Sequence, residues 1–272
     1  MTIVTRPDLS QRTALSKSEI TTAYWCELQA YHSRNDPRPW KPTPDMTFGS
    51  AIDAAVEIAI TALRAGQAIP VSTCLSAAAE MALRDDQAVD LDAVERAVEQ
   101  FGIAVAPQFD WSTAITQPTI RVDIDGLGAC EGHPDIILGS TILDVKASGK
   151  AKNEASVYFA PELAFYALIR ERETGEPVER VGYLTWLRQV KPMWQVLVVD
   201  VTDDLRAEGM TYARRQVQRR RLIDAVSSKN ANPADFFSGP RFDSKCLDCA
   251  YVDVCSTGQR RLRRLQPVPD AS

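Results

Sequence analysis

The spacing of apolar residues predicts helices over about the first hundred positions of the chain. An amphipathic pattern over 15–33 predicts the first helix, and a link with four prolines between 37 and 44 breaks the regular structure after it. Three further apolar stripes follow at helical spacing. They predict helices over 47–65, 72–83 and 91–101. The front of the chain is therefore expected to be helical.

The pattern changes to that of strands in the middle of the chain. Segments rich in β-branched residues predict strands over 119–124, 129–138, 141–146, 179–188 and 193–201. Apolar stripes predict helices over 155–172 and 203–227. This order predicts a single α/β domain over 1–272, with a helical N-terminal part over about 16–110, an α/β core over 115–227 and a cysteine loop with a basic tail over 228–272.

Composition and charge are those of an ordinary soluble protein. Of the 272 residues, 45% are apolar and 25% are charged, and the net charge of −5 excludes a global positive field. Binding of nucleic acid would therefore rest on a local patch. Two stretches, 212–221 and 260–264, concentrate positive charge, and they either follow a DNA backbone or form solvated helix faces.

The start of the chain lacks the apolar core of a secretory signal, and no uninterrupted apolar stretch reaches the roughly 18 residues of a membrane span. We therefore expect a cytoplasmic protein with no membrane partner. In that compartment, six cysteines favour metal ligands or free thiols over disulfides. Because the chain has only two histidines, carboxylates and thiolates are expected to carry the chemistry.

A hairpin within 132–146 is the most informative segment. Gly139-Ser140 suits a two-residue turn, which pairs Ile136 with Leu143 and brings Asp135 opposite Asp144. Carboxylates that face each other across a ladder repel unless a positive charge lies between them. Mg²⁺ is a natural occupant, since it prefers one or two carboxylates together with water and substrate phosphate.

An amine joins these acids, because Asp144 and Lys146 are two residues apart on one strand and share a face. Two carboxylates and an amine at one point can hold a metal ion, activate water and neutralise charge that develops on a phosphate. A hairpin that merely shows its polar face to solvent fits the same residues, so the pattern alone leaves both interpretations open.

The spacing of this segment resembles the PD-(D/E)XK nuclease superfamily: Gly-x-x-Asp, an acid nine positions on in Asp-x-Lys, and then a helix. The resemblance implies a central mixed sheet flanked by helices, like that of restriction endonucleases. It implies that Asp135, Asp144 and the carbonyl of Val145 bind Mg²⁺ or Mn²⁺. It also implies that Lys146 assists the attacking water as a base or as an electrostatic stabiliser.

Two positions depart from the pattern of RecB-like members. Glu162 and Tyr166, four residues apart on the next helix, stand where those members carry Gln-x-x-x-Tyr, and the resemblance places both in the catalytic set. Glu162 can orient a water molecule, but it cannot donate hydrogen bonds as Gln does. Asp53 stands in place of the histidine of Gly-x-x-x-His and would be an additional metal ligand. The alternatives are a solvated Glu and a helix acid favoured by the dipole.

Four cysteines form a second motif. Cys246-x2-Cys249-x5-Cys255 places three thiolates in one loop, and Cys26 is the best candidate for a fourth ligand. This arrangement resembles the iron–sulfur RecB-like nucleases, which include the CRISPR-associated exonucleases and AddB-type subunits. The resemblance implies a 4Fe–4S cluster that staples the C-terminus to the first helix. Zinc on the same thiolates and unrelated thiols are the alternatives. Both other cysteines are expected to be buried: Cys74 and Cys130.

The expected function is that of a metal-dependent deoxyribonuclease, an exonuclease on single-stranded DNA or DNA ends in recombination, repair or CRISPR adaptation. A structure-selective endonuclease is the second enzymatic interpretation. The alternative from another class is a weakly active or inactive nuclease-fold subunit, which binds DNA or a partner in a recombination or CRISPR adaptation complex.

Overall fold

The computed structural model of the protein describes residues 14–36, 38 and 42–265. Contacts between Cα atoms divide the chain into two compact units. The core unit comprises 41–122 and 131–210, and the terminal unit comprises 1–40, 123–130 and 211–272. The terminal unit thus combines segments from both ends of the chain with a short central segment. The division into one domain with three consecutive parts stays a prediction.

Helices form most of the front of the chain and strands most of its middle, as expected for this mixed α/β protein. The α-helices of the described residues are α1 (Lys17–Trp25), α2 (Glu27–Asn35), α3 (Pro44–Arg64), α4 (Val71–Asp85), α5 (Leu91–Gln100), α6 (Glu154–Tyr158), α7 (Pro161–Thr174), α8 (Asp203–Ser228) and α9 (Ser256–Leu265). The strands are β1 (Leu15–Ser16), β2 (Ala114–Thr116), β3 (Ile120–Ile124), β4 (Gly128–Gly132), β5 (Ile136–Leu138), β6 (Thr141–Ser148), β7 (Arg180–Leu187) and β8 (Met193–Asp200).

A five-stranded sheet in the order β2–β5–β6–β7–β8 organises the core unit. The pair β6–β7 is parallel and the other three pairs are antiparallel, so the sheet is mixed, as the resemblance implied. The predicted hairpin register is confirmed, since Ile136 pairs with Leu143. Gly139 has φ +58° at the turn, a conformation that glycine adopts without steric cost.

Helix α3 packs its apolar stripe against one face of this sheet. The helix begins at Pro44, where the Thr43 hydroxyl accepts a hydrogen bond from the Met46 N–H at 3.3 Å. Its buried residues share a hydrophobic core with Leu143 and Val145 of β6. By length and composition alone α3 is apolar enough to cross a membrane, and half of its most apolar window is buried inside the protein. Core packing accounts for that composition.

Three sequence-based predictions of single elements are wrong, and two of the breaks come at proline. The predicted strand over 129–138 is two strands, β4 and β5, which belong to different sheets: β4 lies in the three-stranded order β1–β4–β3. Pro134 lies between them and has no N–H to donate to a ladder. The predicted helix over 155–172 is likewise divided into α6 and α7, and Pro161 begins the second.

The third break is at Cys26, in the middle of the helix predicted over 15–33. Cys26 has extended backbone angles, φ −158° and ψ 108°, and separates α1 from α2. Its N–H still donates to the Thr22 carbonyl at 2.9 Å, while its Sγ accepts from the Gln29 N–H at 3.3 Å. A thiol is a weak hydrogen-bond acceptor, and the spacing of apolar residues gives no sign of such a bond. The apolar pattern therefore predicted one continuous helix across Cys26.

Candidate functional site

Asp135 is held at the open end of the β5–β6 hairpin, one residue before the first strand pair. Its Oδ2 accepts a hydrogen bond from the Val145 N–H at 2.8 Å, and its Oδ1 accepts from the Gln117 side-chain amide at 3.3 Å. The Asp135 carbonyl also accepts from the Gln117 N–H at 2.9 Å. The structure therefore fixes this carboxylate beside β6 next to Asp144. Gln117 carried no signal in the sequence.

Asp144 and Lys146 project from β6 on the face opposite Val145, because side chains alternate along a strand. The Asp144 carboxylate is fully buried and forms an ion pair with the Lys146 ammonium. The Lys146 Nζ also donates to the Val145 carbonyl at 3.2 Å. A buried carboxylate needs a cation, since the cost of removing it from water is otherwise large. The predicted pairing of acid and amine on one strand face is present.

Helix α7 contributes Glu162 and Tyr166 to the same region. Glu162 Oε1 accepts a hydrogen bond from the Tyr183 hydroxyl at 2.8 Å, and Tyr183 stands beside Asp144 in the parallel register of β6 and β7. The Tyr166 hydroxyl donates to the His133 carbonyl at 2.7 Å, two residues before Asp135. Tyr166 therefore positions the chain that carries the first acid, while Glu162 is held through Tyr183.

Both tyrosines are neutral hydrogen-bond donors at neutral pH. Burial raises the pKa of Tyr166, and the nearby charges of Asp144 and Asp135 raise it further. Burial also raises the pKa of Tyr183, with the charge of Glu162 as the next cause. Each hydroxyl thus keeps its proton, and each hydrogen bond to a carbonyl or carboxylate persists.

Lys152 is a second amine in this region, and sequence reasoning missed it. Its backbone is fixed by Gln195 of β8: the Lys152 N–H donates to Gln195 Oε1 and the Gln195 amide donates to the Lys152 carbonyl, both at 2.8 Å. Its Nζ lies 4.2 Å from the centroid of the Tyr183 ring. Burial lowers the pKa of Lys152, and the charge of Lys146 lowers it further. The only sequence signal was a basic residue shortly after Asp-x-Lys.

The remaining predicted metal ligand, Asp53, lies on α3 and is partly buried. Helix α3 packs with Leu143 and Val145, which project from the sheet face opposite Asp144. The structure thus places Asp53 on an element that supports the hairpin from its other side. Its role as a ligand stays a prediction.

The oxygen atoms at the hairpin fit a hard divalent cation in their chemistry. Two carboxylates and the Val145 carbonyl are donors that Mg²⁺ and Mn²⁺ accept. Beside Lys146 in the register, the buried Thr185 hydroxyl has no hydrogen-bond partner within the described part of the chain. Across the described residues, however, no three His, Cys, Asp or Glu side chains stand close enough to form a ligand set.

The four predicted cluster cysteines line one cavity of the terminal unit: Cys26, Cys246, Cys249 and Cys255. Burial raises the pKa of the Cys26 thiol to about 11, and the other three cysteines raise it as well. Thiols this close together resist ionising unless a cation offsets the charge. The cysteines thus suit a metal by donor type and location, although their present spacing is not that of a ligand set. Cys74 and Cys130 are buried, as predicted.

The comparisons with known proteins agree with the hairpin geometry. A sequence profile of the PD-(D/E)XK nuclease superfamily matches residues 14–256. The chain belongs to this superfamily. Nucleases of the PD-(D/E)XK type use divalent metals such as Mg²⁺, which accords with the oxygen donors at the hairpin. No curated protein matches the chain.

Solved structures match the chain at low sequence identity. A Eubacterium rectale protein provisionally named an exonuclease is 11% identical, with a TM-score of 0.57 over 95% of this chain and 90% of that one. The alkaline exonuclease LHK-Exo of Laribacter hongkongensis is 15% identical, with a TM-score of 0.30 over 58% of this chain and 84% of that one. At such identities the first similarity establishes the fold alone.

Proposed function

We propose that this protein is a metal-dependent deoxyribonuclease that hydrolyses phosphodiester bonds from DNA ends or in single strands. The observation that carries the proposal is the buried Asp144 paired with Lys146 on the hairpin face beside Asp135. A solvated hairpin face does not account for it, because Asp144 is 0% exposed. The chain retains this costly arrangement at the position where its superfamily carries its chemistry.

The contacts of each residue indicate its role in the proposed reaction. Asp135, Asp144 and the Val145 carbonyl would hold Mg²⁺ or Mn²⁺, which supplies Lewis acidity for the phosphate and for the attacking water. Lys146 orients that water and stabilises negative charge on the phosphate as the bond from the water oxygen to phosphorus forms and the bond from phosphorus to the leaving sugar oxygen breaks. Tyr166 holds the carbonyl of His133 and thereby keeps Asp135 aligned. Glu162, held by Tyr183, orients water or a metal-bound ligand.

Digestion of end-labelled DNA tests the proposal directly. Single-stranded and double-stranded substrates with and without Mg²⁺ or Mn²⁺ should show metal-dependent cleavage that Lys146→Ala abolishes. Lys150→Ala is the matched control, because Lys150 is an exposed lysine of the same segment. Cleavage by Lys146→Ala at the parent rate would show that the site lies elsewhere. Release of the labelled terminal nucleotide, or progressive shortening of the labelled strand from its other end, supports an exonuclease, whereas discrete internal products support an endonuclease.

We further propose that the protein belongs to the RecB-like iron–sulfur group and acts in recombination, repair or CRISPR adaptation in the cytoplasm. The four cysteines that line one cavity motivate the iron–sulfur part of this proposal. A 4Fe–4S cluster there would close a loop of roughly 220 residues, which removes about 5 kcal/mol of denatured-state entropy by the disulfide-type estimate. Anaerobically purified protein should then be brown and contain acid-labile sulfide. Cys249→Ser should bleach it and lower its solubility, whereas Lys146→Ala should stay brown. Stoichiometric zinc in colourless protein would assign the cavity to zinc instead.

A second candidate is a weakly active or inactive nuclease-fold subunit that binds DNA or a partner. The observation that favours it is the Tyr183 hydrogen bond to Glu162, which occupies one oxygen of the residue that replaces the usual Gln. Tight DNA binding with no cleavage in either metal would support this candidate. Metal-dependent cleavage that Lys146→Ala abolishes would exclude it.

A further inference from the structure

A cluster of aromatic rings lies at the surface of the terminal unit, where α1 meets the chain before Cys246. The Trp25 and Phe242 rings have centroids 6.0 Å apart, and the Tyr24 ring meets Trp25 edge-on at 5.0 Å. Tyr212 of α8 packs edge-on against Tyr24 at 5.9 Å. Trp25 is 36% exposed and Phe242 is 58% exposed. Single exposed aromatic residues are ordinary, whereas contiguous exposed rings are a candidate binding surface.

One backbone and one side-chain hydrogen bond of Arg241 hold the two segments together, so the rings are fixed relative to each other. The Arg241 N–H donates to the Trp25 carbonyl at 3.0 Å, and the Arg241 Nε donates to the Tyr24 carbonyl at 2.8 Å. These bonds join residues more than 200 positions apart in sequence, 216 and 217 positions respectively. A ligand that stacks here would meet rings that are already ordered, and it would lose little entropy on binding.

Cations accompany the rings. The Arg241 guanidinium lies over the Tyr24 ring, 3.9 Å from its centroid, and the Lys245 ammonium lies 5.5 Å from the centroid of Trp25. Both side chains are exposed. Arg215, also exposed, lies three residues after Tyr212 on α8 and therefore on the same side of that helix. Rings and positive charges thus alternate on one surface of a protein whose net charge is −5.

We infer that this aromatic–basic surface, formed by Tyr24, Trp25, Arg241, Phe242 and Lys245, binds single-stranded DNA. Bases stack on Trp25 and Phe242, and the phosphates meet Arg241 and Lys245. A duplex cannot bind in this way, because its base faces are covered by their neighbours. The inference rests on the proposed function only in taking DNA as the substrate, and it assigns single-strand recognition to residues outside the hairpin site.

Binding of a fluorescent oligothymidylate to the full-length protein, measured by anisotropy in buffer without divalent metal, tests the stacking. Phe242→Ala should weaken binding about 5- to 100-fold, since the loss of one stacked base typically costs that much. Phe242→Tyr, which keeps a ring, should bind like the parent. Phe236→Ala removes a 51% exposed ring elsewhere in the terminal unit and should also bind like the parent.

An oligonucleotide with the same phosphates but abasic sugars separates stacking from charge. The parent should bind it more weakly than oligothymidylate, and Phe242→Ala should bind it as the parent does. Lys245→Gln should weaken binding of both ligands and lower the slope of log Kd against log salt concentration by about one. Lys229→Gln, which changes an exposed lysine elsewhere, should do neither. If Phe242→Ala lost affinity equally for the oligothymidylate and for the abasic oligonucleotide, the stacking role would be overturned. Unchanged binding of both ligands by that variant would overturn the DNA-binding role and would instead mark a surface for a protein partner.

The outcome is independent of the nuclease proposal, because binding is measured without metal and without cleavage. Loss of stacking in Phe242→Ala together with an inert hairpin would retain the surface and reject the nuclease. Normal binding by Phe242→Ala together with metal-dependent cleavage by the parent would reject the surface and retain the nuclease.

Discussion

Lys146 and Lys152 show how differently two lysines of one segment acquire a role. Lys146 reaches Asp144 through strand alternation, which follows from two positions of separation in sequence. Lys152 lies over the Tyr183 ring because its backbone is held by Gln195 of β8, which is two strands from β6 in the sheet. The first arrangement is local and the second depends on the folded sheet.

We expect Lys152 to bind the substrate phosphate beside Lys146. Lys152→Met should lower kcat on the order of 10²-fold, the scale of removing one charge-stabilising donor from a site. Lys150→Met, an exposed lysine two residues earlier, should leave kcat unchanged. Steady-state kinetics on a labelled oligonucleotide checks both variants. A kcat for Lys152→Met equal to that of Lys150→Met would limit Lys152 to packing on the Tyr183 ring.

Asp53 is the residue whose role depends most on the resemblance. If it binds metal, Asp53→Ala should raise the Mn²⁺ concentration needed for half-maximal cleavage, and Asp53→His should retain or raise activity. Glu57→Ala, one turn further along α3, is the control acid. Metal titration of the cleavage rate measures the effect. An unchanged metal requirement in Asp53→Ala would identify Asp53 as a helix acid alone.

At the scale of the element, close backbone approach decides what a position tolerates. Gly182 of β7 faces β8 so closely that an added Cβ would lie 2.2 Å from the Leu197 carbonyl oxygen. Backbone on an adjacent strand cannot move aside cheaply. The requirement for glycine therefore comes from the neighbouring strand, and the local sequence does not express it.

Gly182→Ala should destabilise the protein by about 1–3 kcal/mol through overpacking. Gly49→Ala is the matched control with the opposite sign: a Cβ there meets nothing within 4 Å, and alanine should stabilise α3 by about 0.5–1 kcal/mol. Urea unfolding midpoints compare the two variants with the parent. A Gly182→Ala midpoint at or above that of the parent would show that β7 and β8 separate without cost.

On the scale of the whole molecule, ion pairs tie α1 and α2 to the later part of α8 within the terminal unit. Arg220 pairs with the buried Glu19, and Arg219 pairs with Glu27. The Ser238 N–H also donates to Glu27 at 2.9 Å. Two arginines of the basic stretch 212–221, Arg219 and Arg220, therefore stabilise the terminal unit. Fewer arginines of that stretch are then available to bind a phosphate backbone.

Glu27 makes the stability of the terminal unit depend on pH. Burial alone would raise its pKa, but the hydrogen bonds from the Ser238 N–H and from Arg219 outweigh burial and hold the pKa below its ordinary value of 4.5. The unfolded chain therefore binds the proton more readily, and the stabilisation is present above pH 4.5 and lost as pH falls through the lower folded pKa. Urea midpoints between pH 6 and pH 3 (about the range that spans this titration) should fall more steeply for the parent than for Glu27→Gln. Parallel curves would remove Glu27 from the acid response.

Local chemistry determined much of this protein from the sequence alone. Turn preference at Gly139 set the hairpin register, strand alternation put Asp144 and Lys146 on one face, and apolar spacing located α3 to α5 within a few residues. These features depend on neighbours within a few positions, so a linear pattern contains them. The spacing of Cys246, Cys249 and Cys255 belongs to the same class, whereas the fold brings the distant Cys26 to the same cavity.

Only the tertiary structure decided the rest, because those features depend on groups far apart in sequence. The partner of Glu162 is a tyrosine on β7, the backbone of Lys152 is held by Gln195 of β8, and the break at Cys26 lies in the terminal unit. The aromatic–basic surface likewise joins residues more than 200 positions apart. Such contacts are chosen by burial and hydrogen bonding in the folded chain, which the order of residues does not express by itself.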